Sequence, residues 1–336
     1  MDFKTELMKS IQNIPILQIR PLEFQILKTI CEKITADPSE TPDLYCSQLK
    51  DLSLEIPERI QTEFMKFKKN RLIPGILVLK GISLESSEIP RTPLTNNEKI
   101  GEKTMLAKIQ GLFMNLIAEM IAYEAEGYGR LFQDIIPVES CKGTQTSLGS
   151  TELEIHTEQA FSKLKPDILC LACLKGDLDA YTHLLPIETI VSKINFREYC
   201  LLRKPLWKTG VDLSFKLNGT EFLEGDVRGP LSIINGSALH PELIFDQDLM
   251  TGISEESEDM IQRIIDIYYK HRISYNLVQG DILFINNNRA LHGRSSFSPK
   301  YDGNDRFLIR CFGTYHYAKS EYARPNHSRV VSAIYS

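Results

Sequence analysis

In the stretch "ELEIHTEQAF", His156 and Glu158 have the types and the spacing to share a metal ion. Two residues apart on an extended strand, their side chains point to one face. An imidazole and a carboxylate completed by a second imidazole form the facial arrangement that holds Fe(II) and leaves three coordination positions open. Taken alone the pair is weak, because a surface or hydrogen-bonded His/Glu pair gives the same tripeptide. His292 supplies the missing imidazole, in "GDILFINNNRALHGR", a turn glycine, an apolar strand, a polar interruption and a histidine in strand-like context.

Downstream, the loop "SPKYDGND" leads into a returning strand "RFLIRCF". With a period of two, Arg306, Leu308, Arg310 and Phe312 share one face of it, and Phe307, Ile309 and Cys311 share the other. Two guanidiniums therefore point together on a strand whose opposite face is apolar and expected to be buried. Burying such groups without anions costs on the order of several kcal/mol each, and a carboxylate is the partner a guanidinium pairs with best. Internal salt bridges would meet that need. With His292 expected on the adjoining strand, a carboxylate ligand beside a metal meets it more economically. A His2Glu set also suits catalytic zinc, and the paired arginines tilt the reading to iron with a keto acid.

His156, Glu158, Thr182, His292 and Arg306, in that order, resemble the pattern of the clavaminate synthase-like branch of the Fe(II)/2-oxoglutarate dioxygenases. Thr182 follows Glu158 by 24 residues and Arg306 follows His292 by 14, as the family pattern asks, and "YDGNDRFLIRCF" is similar to the family's segment around that arginine. The likeness runs from about residue 130 to 315. It implies that His156, Glu158 and His292 ligate Fe(II), that Arg306 grips the distal carboxylate of 2-oxoglutarate, and that Thr182 adds a hydrogen bond to this cosubstrate. It also implies that Arg310 meets the substrate's carboxylate. The activity implied is hydroxylation of a free L-amino acid with O2, giving succinate and CO2. The basic amino acids are favoured, L-lysine ahead of L-arginine, with C3 and C4 both open.

Acidic residues would read a cationic substrate end. Asp246 and Asp248 in "ELIFDQDLM" face one way if that segment is extended, and two acids around one ammonium compensate its desolvation. A solvated loop or a helix cap is the plainer reading. Glu224 and Asp226 in "LEGDVRG" form a second acidic pair. Ser147 or Thr146, in "QTSLGS", could line the amino-acid end, and Glu126 stands where relatives often have a glutamine near the substrate amine. His183, His240, His271, His316 and His327 have no partner at metal spacing.

Positioning these groups requires strands, and the chain changes texture to supply them. Up to about residue 125 it reads as a helical layer, with helices in "PLEFQILKTICEKI", "PERIQTEFMKFKKN" and 103–122, and one strand in "GILVLKGI". Short strands follow: "RLFQDIIPV", "ELEIHTE", "DILCLACL", "DLSFKL", "GDILFIN" and "RFLIRCF", interrupted by one helix at roughly 255–270. The expected fold is mainly β with α, a double-stranded β-helix (jelly roll) packed by helices. It forms a single catalytic domain, 1–336, with a jelly-roll core over 126–320 and a lid around 205–260.

Composition sets the class. The chain has 336 residues, 42% hydrophobic and 25% charged, with a net charge of −5 and basic and acidic residues interspersed, so neither nucleic acid nor an anionic membrane is an expected partner. The N-terminus lacks the apolar core of a signal peptide, and polar residues interrupt the 103–122 stripe too often for a membrane span. Seven scattered cysteines suit reduced thiols in the cytoplasm. Cys170 and Cys173, three apart on a strand, face opposite ways and suit neither zinc nor a disulfide. Homo-oligomerisation is left open. Two alternatives stay alive: the same chemistry on a neutral or carrier-bound amino acid, and a cupin-like metal-binding or zinc hydrolase protein.

Overall fold

A computed structural model describes residues 14–69, 75–211 and 227–335. The chain opens with strand β1 (Ile16–Gln18) and helices α1 (Pro21–Glu32), α2 (Pro42–Leu52) and α3 (Glu58–Lys68), then β2 (Ile76–Lys80) and α4 (Met105–Ile117). Strands β3 (Glu119–Tyr123), β4 (Phe132–Ile135), β5 (Leu153–His156), β6 (Ile168–Lys175) and β7 (Thr182–Pro186) lead to two short helices, α5 (Ile187–Lys193) and α6 (Phe196–Leu202). Five more short strands follow, β8 (Trp207–Gly210), β9 (Val227–Leu231), β10 (Ile234–Gly236), β11 (Pro241–Leu243) and β12 (Met250–Gly252). Helix α7 (Glu255–His271), β13 (Ile273–Tyr275), β14 (Ile282–Asn286), β15 (Ala290–Arg294), β16 (Phe307–Thr314) and β17 (Val330–Val331) complete the described chain.

Two sheets face each other. The large one has the order β1-β2-β14-β6-β16-β3-β17, with β4 also paired to β16, and the small one has the order β13-β7-β15-β5. The architecture is mainly β with α. Alternation along β16 divides its side chains as the period of two requires: Phe307, Ile309 and Cys311 pack under the helices, while Leu308 and Phe312 enter the layer between the sheets. On β6, Cys170 and Cys173 likewise fall on opposite faces. All seven cysteines are free thiols.

Helix α4 lies across the back of the large sheet and buries Leu106, Ile109, Leu112, Phe113 and Ile117. Thr104 caps it by accepting a hydrogen bond from the Ala107 N–H, and the buried Gln110 Nε2 donates to the carbonyls of Cys170 and Ile309, 3.0 and 3.1 Å away. The helix is shorter than the 103–122 expected. Ala118 is extended, and Glu119–Tyr123 pairs with β16 as a strand. That run is buried on both faces, so its periodicity does not separate strand from helix. The helical layer therefore contributes β1, β2 and β3 to the sheet. Helices α2, α5 and α6 are additions to the sequence reading, and "DLSFKL" lies outside the described residues.

A third core backs the small sheet. Ile155, Leu185 and Leu291 point away from the large sheet and pack with Trp207, Ile264 and Tyr268. Helix α7, capped by Ser254 with glutamates in its first turn and Lys270 and His271 in its last, sits on this side with charges that complement its dipole. His183 on β7 points the same way, its Nδ1 2.9 Å from Ser274 Oγ.

Burial, aided by the Arg272 charge, lowers the His183 pKa to about 4. A histidine that resists protonation in the folded state contributes stability that is complete above its unfolded value of about 6.5 and is lost as pH falls toward 4. His183→Asn should flatten the decline of the urea midpoint between pH 6.5 and 4. Parallel wild-type and variant curves would remove His183 as its cause.

Candidate active site

Residues of β4, β6 and β16 on one side, and of β5, β7 and β15 on the other, line a cavity of about 670 Å³ between the sheets. This lies within the roughly 300–1,000 Å³ of small-molecule sites.

On the small sheet, β15 runs antiparallel to β5 with His292 directly opposite His156. The two imidazoles meet for that reason, with ring centroids 4.4 Å apart and planes at 54°. The register shifts between His292 and Arg294. At this irregularity a Cβ on Gly293 would stand 2.6 Å from the Leu153 carbonyl oxygen, so the close approach needs glycine. Strand β5 ends at His156, and Glu158 lies in the turn beyond it, not on the shared strand expected. Backbone clamps turn it inward instead. The Glu158 N–H donates to Asn287 Oδ1 at 2.8 Å, Asn287 Nδ2 donates to the carbonyls of Glu158 and Pro166, and the Thr157 N–H donates to the Phe245 carbonyl.

Ligand atoms of His156, Glu158 and His292 thus lie within 4.8 Å of one another, and His292 Nε2 is 3.2 Å from Glu158 Oε1. His156 Nδ1 sits 2.8 Å from the Glu154 carbonyl. A carbonyl only accepts, so Nδ1 holds the proton and Nε2 keeps its lone pair for a metal. Burial pushes the His292 pKa down and favours the neutral, ligating form. Burial pushes the Glu158 carboxyl up, but Arg310 and His292 outweigh it and hold it well below the usual carboxylate range. One ionised carboxylate and two imidazoles with open space beside them fit a divalent cation, Fe(II) included.

The arginines come from the opposite sheet. Arg310 on β16 pairs in register with Gln133 of β4, and its Nε and Nη2 donate to Gln133 Oε1 at 2.9 and 2.5 Å. It also forms an ion pair with Glu126 and a longer one, 3.4 Å, with Glu158. Glu126 is held in turn by Gln159 Nε2 at 2.9 Å. Arg306 lies one residue ahead of β16. Its buried guanidinium faces the cavity with no hydrogen-bond or ion-pair partner among the described residues, and burial lowers its pKa to about 10. His292 and the arginines, expected on adjoining strands, stand on facing sheets, which leaves room between them.

Thr182 is buried on β7 and lines the cavity opposite Arg294 in register. Burial, with the nearby Arg306 charge, lowers the Arg294 pKa to about 9. Ser147 and Thr146 line the cavity from a loop. Asp246 and Asp248 also line it, but their segment is a turn, so the extended geometry expected is absent. Asp246 Oδ1 accepts from the N–H groups of Asp248 and Leu249 at 3.0 and 2.9 Å and caps that turn, and Asp248 is exposed. Glu224 and Asp226 lie outside the described residues.

Four cavity or support residues escaped the sequence reading: Gln133, Asn287, Arg294 and Glu154. Glu154 carried a usable signal, since two residues before His156 on β5 it shares that residue's face. Partial burial, with the Asp248 and Glu152 charges, pushes its carboxyl up, and no cationic side chain among the described residues pairs with it.

Comparison with known proteins agrees with this geometry. The family model described as taurine catabolism dioxygenase TauD, TfdA family matches residues 203–312. The chain is 41% identical to an L-lysine 3-hydroxylase of Catenulispora acidiphila, over 96% of this chain and 90% of that one. It is 26% identical to an L-asparagine oxygenase of Streptomyces coelicolor, over 82% of each. Among solved structures, an asparagine oxygenase in complex with Fe(II), a 3-hydroxyasparagine and succinate superimposes with a TM-score of 0.87 at 23% identity, covering 94% of this chain and 99% of that one.

Outer partners that aim ligands typically matter about 10–100-fold in metal affinity. Asn287→Ala should weaken Mn(II) binding, followed by electron paramagnetic resonance, within that range, and His292→Ala should abolish it. An unchanged affinity in Asn287→Ala would show that Glu158 is aimed without the clamp.

Proposed function

The chain belongs to the Fe(II)/2-oxoglutarate-dependent oxygenases that hydroxylate free amino acids, and from that membership we propose that its substrate is L-lysine, hydroxylated at C3. The zinc hydrolase alternative falls with the membership. The observation that carries the chemistry is Arg306, a buried guanidinium without a partner among the described residues, facing the cavity that holds the ligand triad. A dicarboxylate cosubstrate supplies the missing anion.

In this reading His156, Glu158 and His292 hold the iron, which with 2-oxoglutarate and O2 supplies oxidative decarboxylation coupled to hydroxylation of an unactivated C–H bond. Arg306 and Thr182 grip the cosubstrate's far carboxylate. Arg310 takes the substrate's carboxylate and Glu126 its ammonium. Arg310 and Glu126 already form an ion pair, so a zwitterion exchanges one buried pair for two and leaves neither charge exposed. Ser147 closes the amino-acid end. The protein's part is to orient the bond to be cleaved and keep water out.

Glu154, with Asp246 and Asp248, supports a cationic side chain at the other end. Glu154 lies two residues along β5 from a metal ligand, about 6.6 Å of strand, comparable to the reach of an extended lysine side chain. The 41% identity to an L-lysine 3-hydroxylase supports both the amino acid and the position. We also read the whole chain as one catalytic domain with a jelly-roll core and a lid around 205–260, supported by the facing sheets. The free cysteines support a cytoplasmic setting. No helix among the described residues is long and apolar enough to cross a membrane.

Screening the twenty amino acids for succinate release should single out L-lysine, with 3-hydroxylysine as product; a preference for arginine or a neutral amino acid would overturn the assignment. Glu154→Gln should raise the lysine KM about tenfold, the loss of one charge-assisted contact, with kcat little changed. An unaltered KM would remove Glu154 from the pocket reading.

A further inference from the structure

The cavity has a third arginine, Arg294, that the reading above leaves unused. His292 and Arg294 are two apart on β15 and both reach the cavity. Arg294 stands opposite Thr182 in the β15–β7 register, and Thr182 and Arg306 line the same cavity. Its guanidinium is held by neutral groups: Nη2 donates to the Thr151 carbonyl at 2.7 Å, Nε donates to the Ser295 carbonyl at 3.3 Å, and the Phe297 ring lies 4.9 Å away. Among the described residues neither Arg294 nor Arg306 forms an ion pair with a carboxylate, and Asp177 acts on Arg306 only through space. Two buried guanidiniums at one cavity repel each other unless an anion joins them.

We propose that Arg294 is a second cationic contact, beside Arg306, for the far carboxylate of 2-oxoglutarate. The inference rests on the cosubstrate reading above. A carboxylate has two oxygens and about four lone-pair sites, so it can accept from two guanidiniums and the Thr182 hydroxyl together. The carbonyl contacts of Arg294 also tether the segment at Thr151 to β15. That anchoring role would be indifferent to the charge on the far end of a ligand, which separates the two roles experimentally.

The test is anaerobic titration of the Fe(II)-loaded protein with 2-oxoglutarate and with 2-oxobutyrate, a keto acid lacking the far carboxylate, each followed by the visible charge-transfer band. Arg294→Gln should weaken 2-oxoglutarate about tenfold, one charge-assisted contact, and leave 2-oxobutyrate within about twofold. Arg294→Lys, which keeps the charge, should lie between wild type and Arg294→Gln, and decides the matter if the glutamine variant does not fold. Equal losses for both keto acids would assign Arg294 to anchoring alone, and no loss for either would remove it from the site. A wild-type protein that gives no band with 2-oxoglutarate would instead bring down the cosubstrate reading itself.

Discussion

The antiparallel register that sets His292 opposite His156 is the constraint on which the site depends. A one-residue slip in either strand would turn an imidazole out of the cavity and into the apolar core behind the small sheet. That core resists the slip, because Ile155 and Leu291, the neighbours of the two histidines, are buried in it. The same packing that stabilises the sheet therefore holds the ligands in place. The irregularity at Gly293 falls between His292 and Arg294, both of which line the cavity.

Both sheets bring charge to the cavity. Arg310 on β16 and Arg306 just ahead of it come from the large sheet, and the small sheet brings the ligand triad, the acid Glu154 and a further cation, Arg294. Arg310 is balanced by Glu126, Glu158 and Gln133, whereas Arg306 is balanced by nothing within contact among the described residues. Such asymmetry is costly in an empty protein and useful in a loaded one, since an arriving carboxylate recovers what burial has cost the guanidinium. Functional sites are where locally unfavourable arrangements are kept.

Rigidity comes from three apolar layers. The helices pack on the back of the large sheet, a second core fills the space between the sheets, and a third supports the small sheet from outside. Buried amide side chains fix elements to one another through backbone groups. Gln110 pins α4 to two strands, and Asn287 fixes the turn that carries Glu158. Sites on supported strands hold geometry better than sites on loops.

Part of this was legible in the residue order. Alternation with period two correctly divided Arg310 and Leu308 from Phe307, Ile309 and Cys311, and set Cys170 and Cys173 on opposite faces, because strand geometry allows no other arrangement. The spacing of His156, Glu158, Thr182, His292 and Arg306 carried the family likeness. The end of α4 was not legible, since a run buried on both faces has no distinguishing period. Nor could the sequence show that Asp246 caps its own turn, that Glu126 meets Arg310 across 184 positions, or that Asn287 aims Glu158. The sequence by itself determined the types of group available and which of them share a strand face, because those follow from local geometry. Only the tertiary structure decided which groups meet across the two sheets and which charge is left without a partner, because those depend on strand pairing between segments more than a hundred residues apart.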